Sequence, residues 1–360
     1  METLARSVYE HVKHPHMTWN SKYDYGTAFQ STMYMLRKGD SNRFLFHMLP
    51  PSMRSDNEAL PSSDRANTLR RWQRRIVKGI VEWADQQGLV RWLTGAEWRS
   101  DTEKVEDFKV DFPNILPFFV DGTPLPTFAP GDARTAKIMW NSKHAEHAFQ
   151  IFVLVSPIGR IVYSSHVEGG KMHDKTQWEK ENVSKSLYDH YSSLSRYREG
   201  KLKVGNQVYQ LAIGGDKAYR DLLVPAGWQL LITKSGEDHN VDAEQSAHDS
   251  GWDYKCLGAT GERKMKEMGV GGSDKKPAKK KSLPQGDGFP VVDLEVCQKF
   301  DPKIATYRCV VERVMKALKR WKVLTSCIHL NATSVNLFTR CVSALTNYQL
   351  LHDHQDSLTW

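Results

Sequence analysis

Cysteine is scarce in this 360-residue chain, and it forms no pattern. Cys256, Cys297, Cys309, Cys327 and Cys341 are odd in number, fall in the last third and make no CxxC pair. That argues against a disulfide framework or a cysteine-based zinc site and predicts free intracellular thiols. Long apolar runs are missing too. The longest clear one, Ile151 to Val155, is strand-sized, whereas a membrane-spanning helix needs about 18 apolar residues in a row. The opening METLARSVYEHVKHPH alternates charge with aromatics and has no apolar stretch of the secretory kind, so no membrane association is expected. A convincing helix-turn-helix is also lacking.

The formal charge is +8, unevenly spread. Between Glu262 and Lys281 there are eight Lys or Arg against three acids, so most of the excess belongs to one segment. A polyanion partner fits such a distribution without being required by it. The surrounding stretch, Ser235 to Phe300, is rich in Gly, Asp, Lys and Ser. Its core, GVGGSDKKPAKKKSLPQGDG from Gly269 to Gly288, has too little apolar surface to order itself, which predicts a disordered insertion with a basic core over 262–288. Lys275 to Lys281 matches a nuclear-import signal, and a solvated basic tail accounts for it equally well. The expected location is the nucleus.

Residues 1–105 read as a mostly helical region. Leu69, Trp72, Ile76, Ile80 and Trp83 recur at helical spacing, Arg70, Arg71, Arg74, Arg75 and Lys78 fill the other face, and Gly88 is a natural stop. Two readings are open: a helix that grips DNA, or a solvated basic face over a tryptophan-rich core. The pattern favours the second. Pro50-Pro51 and the stretch from Ser55 to Asp64 read as loop.

From Phe112 the texture becomes short apolar runs with turns between them. Ile115 to Val120 predicts a strand ending at Asp121-Gly122, and Phe149 to Val155 with Arg160 to Ser165 predicts a hairpin about Ser156 to Gly159. After Gly169-Gly170, Asp174 to Arg196 reads as one helix. Tyr209 to Ile213 runs as a strand into Gly214-Gly215-Asp216, and Trp228 to Thr233 is a further strand. Asp301-Pro302 has the cap and first-turn chemistry of a long helix carrying Glu312 among basic residues. A last helix spans Ser334 to about Leu351.

Asp121 and Asp216 share one setting, an acid beside glycine at the end of an apolar strand. Carboxylates at the rim of a rigid sheet suit hard cations such as Mg²⁺ or Mn²⁺. Taken singly, each is better explained by turn chemistry. Their order is more telling: three strands, a helix, a strand with a second acid, then a late helix with Glu312. FFVDGTPLP (Phe118 to Pro126), NSKHAEHAFQIFVLVSPIGRIVYSSHVEGGKMHD (Asn141 to Asp174), GGDKAY (Gly214 to Tyr219) and RCVVERVMKALKRW (Arg308 to Trp321) together resemble the successive blocks of the DDE-superfamily endonucleases and transposases related to the PIF/Harbinger elements.

The resemblance implies an α/β, RNase H-like mixed sheet flanked by helices over 106–332, interrupted by the insertion at about 235–300 and followed by a C-terminal helix over 333–360. It implies a metal-dependent DNA endonuclease or transposase with Asp121, Asp216 and Glu312 as catalytic and metal-binding acids. Two divalent ions would sit about 3.5–4 Å apart, Asp121 bridging both. Asp174 matches a further family acid, with a supporting role, although a carboxylate complementing a helix N-terminus explains it slightly better. Lys217, Arg308, Lys316 and Lys319 are candidate phosphate contacts. His144, His147 and His173 lack zinc-ligand spacing and read as surface or packing residues. DNA is the implied partner, target choice falls to a separate Myb-like DNA-binding protein, and an oligomer is compatible with all of this. A catalytically silent DNA- or chromatin-binding protein and an RNase H-like nuclease acting on RNA or hybrids are the alternatives. Glu312 follows Asp216 by 96 residues, a long gap for such a site.

Overall fold

The computed structural model describes residues 2–12, 25–39, 62–233, 254–256, 297–300, 302–325 and 331–353. The basic stretch 262–288, Cys327, Asp301 as a helix cap, and the Pro50-Pro51 loop lie outside these residues. The chain begins with helices α1 (Glu2–Val12), α2 (Tyr25–Lys38), α3 (Ser62–Gln86), α4 (Gly95–Glu103) and α5 (Glu106–Asp111). There follow β1 (Ile115–Pro126), α6 (Ala133–Met139), β2 (Trp140–Asn141), β3 (Glu146–Val155), β4 (Ile161–Ser164) and β5 (Glu168–Gly169). Next come α7 (Asp174–Lys180), α8 (Val183–Ser192), β6 (Tyr197–Arg198), β7 (Lys201–Val204), β8 (Gln207–Gly215) and β9 (Gln229–Ile232). Short strands β10 (Tyr254–Cys256) and β11 (Cys297–Phe300), then helices α9 (Pro302–Lys319) and α10 (Ala332–Asp353), complete the order. Among the described residues no helix is long and apolar enough to cross a membrane.

The strands form one mixed sheet with β1 near its middle. β3 pairs antiparallel with β1, and β4 pairs antiparallel with β3. On the other side β8 runs parallel to β1, and β9 parallel to β8. Helices cover both faces, so this is the RNase H-like arrangement that the sequence implied. β1 is buried on both faces because its side chains alternate between two cores. Phe119 and Leu125 join the core under α1, α2, α3, α9 and α10, while Leu116, Phe118 and Val120 join the core under α4, α7 and α8. Trp98 of α4 stacks on Phe118 at 3.8 Å between ring centroids and donates its indole N–H to the Pro117 carbonyl at 2.8 Å.

Several expectations change. β1 does not end at Asp121-Gly122 but continues to Pro126, because β3 supplies partners along that whole length. Asp-Gly is turn chemistry in isolation, and a paired neighbour overrides it. The single helix expected over Asp174 to Arg196 is two, since Asn182 takes a left-handed backbone conformation (φ 52°) that an α-helix cannot continue through. Ser62 to Asp64 open α3 and are not loop. In α3, Ile76, Ile80 and Trp83 are buried while Arg71, Arg74, Arg75 and Lys78 are exposed, the solvated-face reading of that helix.

The edge strand β4 is closed by a side chain. Fully buried Asn347 of α10 accepts from the Ile161 N–H at 2.8 Å and donates to the Ile161 carbonyl at 2.7 Å and the Leu89 carbonyl at 2.6 Å. Edge strands otherwise leave such groups open to other chains. Asn347→Ala strands three backbone groups at a buried position and is expected to cost about 3 kcal/mol, since each unsatisfied group costs about 1–3 kcal/mol and the pocket relaxes in part. Urea unfolding of the two proteins measures it; a loss within error of zero would show that the edge is not held this way.

Candidate carboxylate site

Two of the acids are brought together by the sheet itself. In the parallel β1–β8 ladder, Phe119 stands opposite Gly214. Two residues further along each chain, the same register brings Asp121 level with Asp216, just past the end of β8. Asp216 then turns the backbone: its carboxylate accepts from the Ala218 N–H at 2.8 Å and caps the short 3₁₀ turn Lys217–Tyr219.

Asp174 arrives from the other face, at the first turn of α7. Its Oδ1 accepts from Gln150 Nε2 at 2.6 Å and its Oδ2 from the Tyr219 hydroxyl at 3.2 Å. Gly122 makes room for it. A Cβ at position 122 would overlap the Asp174 carboxylate, so this glycine is required by close approach and not by a turn.

Glu312 comes from α9. Buried Val310, Val311 and Val314 seat that helix on the sheet. Its first turns are fixed by Asp111 at the end of α5, which accepts from Lys303 Nζ and from the Tyr307 hydroxyl, both at 2.5 Å. Those two partners hold the Asp111 carboxyl below its ordinary range. The long gap after Asp216 therefore does not leave Glu312 adrift. It reaches Asp121 through Arg308, whose Nη2 donates to Glu312 Oε1 at 2.6 Å and whose Nη1 lies 3.4 Å from Asp121 Oδ2.

The basic residues separate into two kinds. Arg308 is engaged with the acids and is only 20% exposed. Lys319 is half-buried near Asp121 and Glu146; burial lowers its pKa, and both acids oppose that shift. Lys217 and Lys316 are exposed, as phosphate contacts need to be. Of the histidines, His144 and His173 are exposed, and the His147 ring packs edge-on against Trp140.

Charge accumulates at the site. Burial pushes the Asp121 carboxyl up to about 6, opposed by Arg308 and the Gly122 N–H and reinforced by Asp216 and Asp174. Burial likewise raises Asp174, against its bonds from Gln150 and Tyr219 and with the charge of Asp216 adding to it. Tyr219, fully enclosed, is raised well above an ordinary tyrosine by burial and then by Asp174, Asp121 and Asp216. It stays protonated and able to donate.

Oxygen donors alone, carried on a sheet and with their charge only partly offset, are the donor set of a hard divalent cation. Among the described residues, however, no three His, Cys, Asp or Glu side chains converge closely enough to hold one metal ion as the chain stands. The cation that Asp121 and Glu312 hold in this structure is the Arg308 guanidinium. Gln150, Tyr219 and Gly122 escaped the sequence reading as site residues. The one signal available for Gln150 was a polar residue at an inward position of an apolar strand. Tyr219 ended a quoted block without a role.

Two outcomes follow from this geometry. Because Asp121 is harder to ionise folded than unfolded, its contribution to stability is present below its ordinary value of 3.8 and is lost as pH rises through about 6. In metal-free buffer Asp121→Asn should therefore gain melting temperature relative to wild type as pH is raised from about 4 to about 7. Parallel pH profiles of the two proteins would discount the burial of Asp121. Gly122→Ala should displace Asp174 and reduce any metal-dependent activity at least about tenfold, while costing only about 1–3 kcal/mol of stability as a small overpacking. Unchanged activity in this variant would mean that Asp174 is not needed where it stands.

Comparison with known proteins identifies one family. The family described as DDE superfamily endonuclease matches residues 120–248 and 277–347, more than half the chain, and the matched segments include Asp121, Asp174, Asp216, Arg308 and Glu312. No curated protein and no solved structure matches. On the extent of that match, the chain belongs to the DDE superfamily endonucleases.

Proposed function

We propose that this chain is a divalent-metal-dependent DNA endonuclease or transposase in which Asp121, Asp216 and Glu312 hold the metal ions and Asp174 supports them. The observation that carries the reading is the gathering of Asp121, Asp174 and Asp216 around β1 at Asp121-Gly122, on a chain of the endonuclease family. Two bound divalent ions would supply an activated water and relieve charge on the leaving 3′-oxygen.

The protein's own groups have separate tasks. Gly122 leaves space for Asp174, and Gln150 and Tyr219 fix both of its oxygens, so that carboxylate is oriented before any substrate arrives. Lys217 and Lys316 offer exposed positive charge to phosphates, and Lys319 adds a partly enclosed one beside Asp121. A DNA 3′-hydroxyl in place of water as nucleophile would give strand transfer at the same site. Specific target choice would rest with a separate Myb-like protein, and the basic run Lys275 to Lys281 would direct the chain to the nucleus. One observation favours a second reading, a silent DNA- or chromatin-binding relative: the Arg308 guanidinium is already paired with two of the acids.

Nicking of supercoiled DNA separates the two. Wild type with Mg²⁺ or Mn²⁺ is expected to relax the plasmid, and Asp216→Asn should be slower by a factor of about 100 or more, as for loss of a group that acts in the transition state. Equal nicking by both proteins would remove the site assignment. DNA binding without nicking in either metal would establish the silent binder.

A further inference from the structure

We propose that Arg308 is the resident counter-ion of the carboxylate site, and that a divalent metal ion binds there in competition with it. The proposal rests on the metal-site reading of Asp121 and Glu312.

Competition follows from which oxygens are engaged. Asp121 Oδ1 accepts the Gly122 N–H at 2.9 Å, which leaves Oδ2 the oxygen without a backbone partner. Oδ2 is the atom that faces Arg308 Nη1. Glu312 likewise presents Oε1 to Arg308 Nη2. A metal ion bridging strand β1 and helix α9 would bind the same two carboxylates that the guanidinium now links, and its charge would repel the guanidinium from that space. The planar fork of arginine suits that bridging role, as a compact ammonium would not.

The bridge is also poised to yield. Arg308 is largely enclosed, yet its Nε is buried with no hydrogen-bond partner. A buried polar N–H left unpaired is unfavourable, so the guanidinium is held by charge and not by a full set of bonds. The Asp121 contact at 3.4 Å is long for a charged hydrogen bond, whereas the Glu312 contact at 2.6 Å is short. Glu312 lies one helical turn from Arg308, so that pair survives small movements of α9 while the Asp121 contact does not. Without any cation, Asp121 would face Asp216 and Asp174 unrelieved. Arg308 thus keeps the metal-free site together, and it sets the affinity that an incoming ion must exceed.

Calorimetric titration of the full-length, metal-free protein with MnCl₂, in the absence of DNA, tests this directly. Arg308→Met keeps the side-chain stem and removes the charge. It should bind Mn²⁺ about tenfold more tightly than wild type, because a competing interaction of about 1.4 kcal/mol has been removed. Its melting temperature without metal should fall, and the rise on adding Mn²⁺ should exceed that of wild type. Arg308→Lys, the variant to use should the methionine protein fail to fold, should also bind more tightly than wild type, by a smaller factor. Asp121→Asn should lose the site. Equal or weaker Mn²⁺ binding by the Arg308 variants, with Asp121→Asn still losing it, would overturn the competition and leave the metal-site reading standing. Mn²⁺ binding that is absent from wild type, or unaffected in Asp121→Asn, would overturn both.

Discussion

The structure depends on one constraint, that β1 is paired on both edges and buried on both faces. Its antiparallel partner β3 carries it past Asp121-Gly122, and its parallel partner β8 ends where Asp216 begins. A strand so enclosed cannot slip by one residue without turning every side chain to the wrong core. The position of Asp121 is therefore set by apolar packing over its whole length, and the other acids are placed relative to it. Asp216 comes by register, Asp174 by the space above Gly122, and Glu312 through a helix seated on the same face as Phe119.

That placement has an electrostatic consequence. Burial makes Asp121 and Asp174 harder to ionise, and the charges of their acidic neighbours add to it. Three features temper the accumulated charge: the Gly122 N–H, the donors Gln150 and Tyr219, and the guanidinium of Arg308. The first two are fixed parts of the fold. The third sits on a long side chain with an incomplete set of bonds, so it is the member that can be exchanged for another cation. Polar groups so placed are costly to stability and informative about function.

Support from outside the sheet matters as much. Asp111 ties α9 to α5 through Lys303 and Tyr307, and Tyr307 packs edge-on against Phe108 and Phe112. α10 closes the β4 edge with Asn347 and meets the Val167 N–H with Asn336 at 2.6 Å. The helices at either end of the chain share one core with the sheet, from Leu4 and Val8 to Leu345. They pack against the sheet that carries the carboxylates, the support that a site built from four separate elements requires.

Much was legible in the sequence, because it rests on local pattern. The apolar run Ile115 to Val120, the β3–β4 hairpin, the strand leading into Asp216 and the long helix bearing Glu312 were each readable from spacing and turn residues. The order of the acids along those elements was readable too, as was the family. Boundaries were misread where a distant partner overrode a local signal, as at Gly122, or where a single residue broke a helix, as at Asn182. The insertion's composition was plain, but its strands at 254–256 and 297–300 pair with partners that composition does not reveal. Only the tertiary structure decided that Gly122 makes room for Asp174, that Gln150 and Tyr219 orient it, and that Arg308 links Asp121 to Glu312. Each of these depends on residues remote in sequence meeting at contact distance, 187 apart for Arg308 and Asp121, and no local pattern encodes such a meeting.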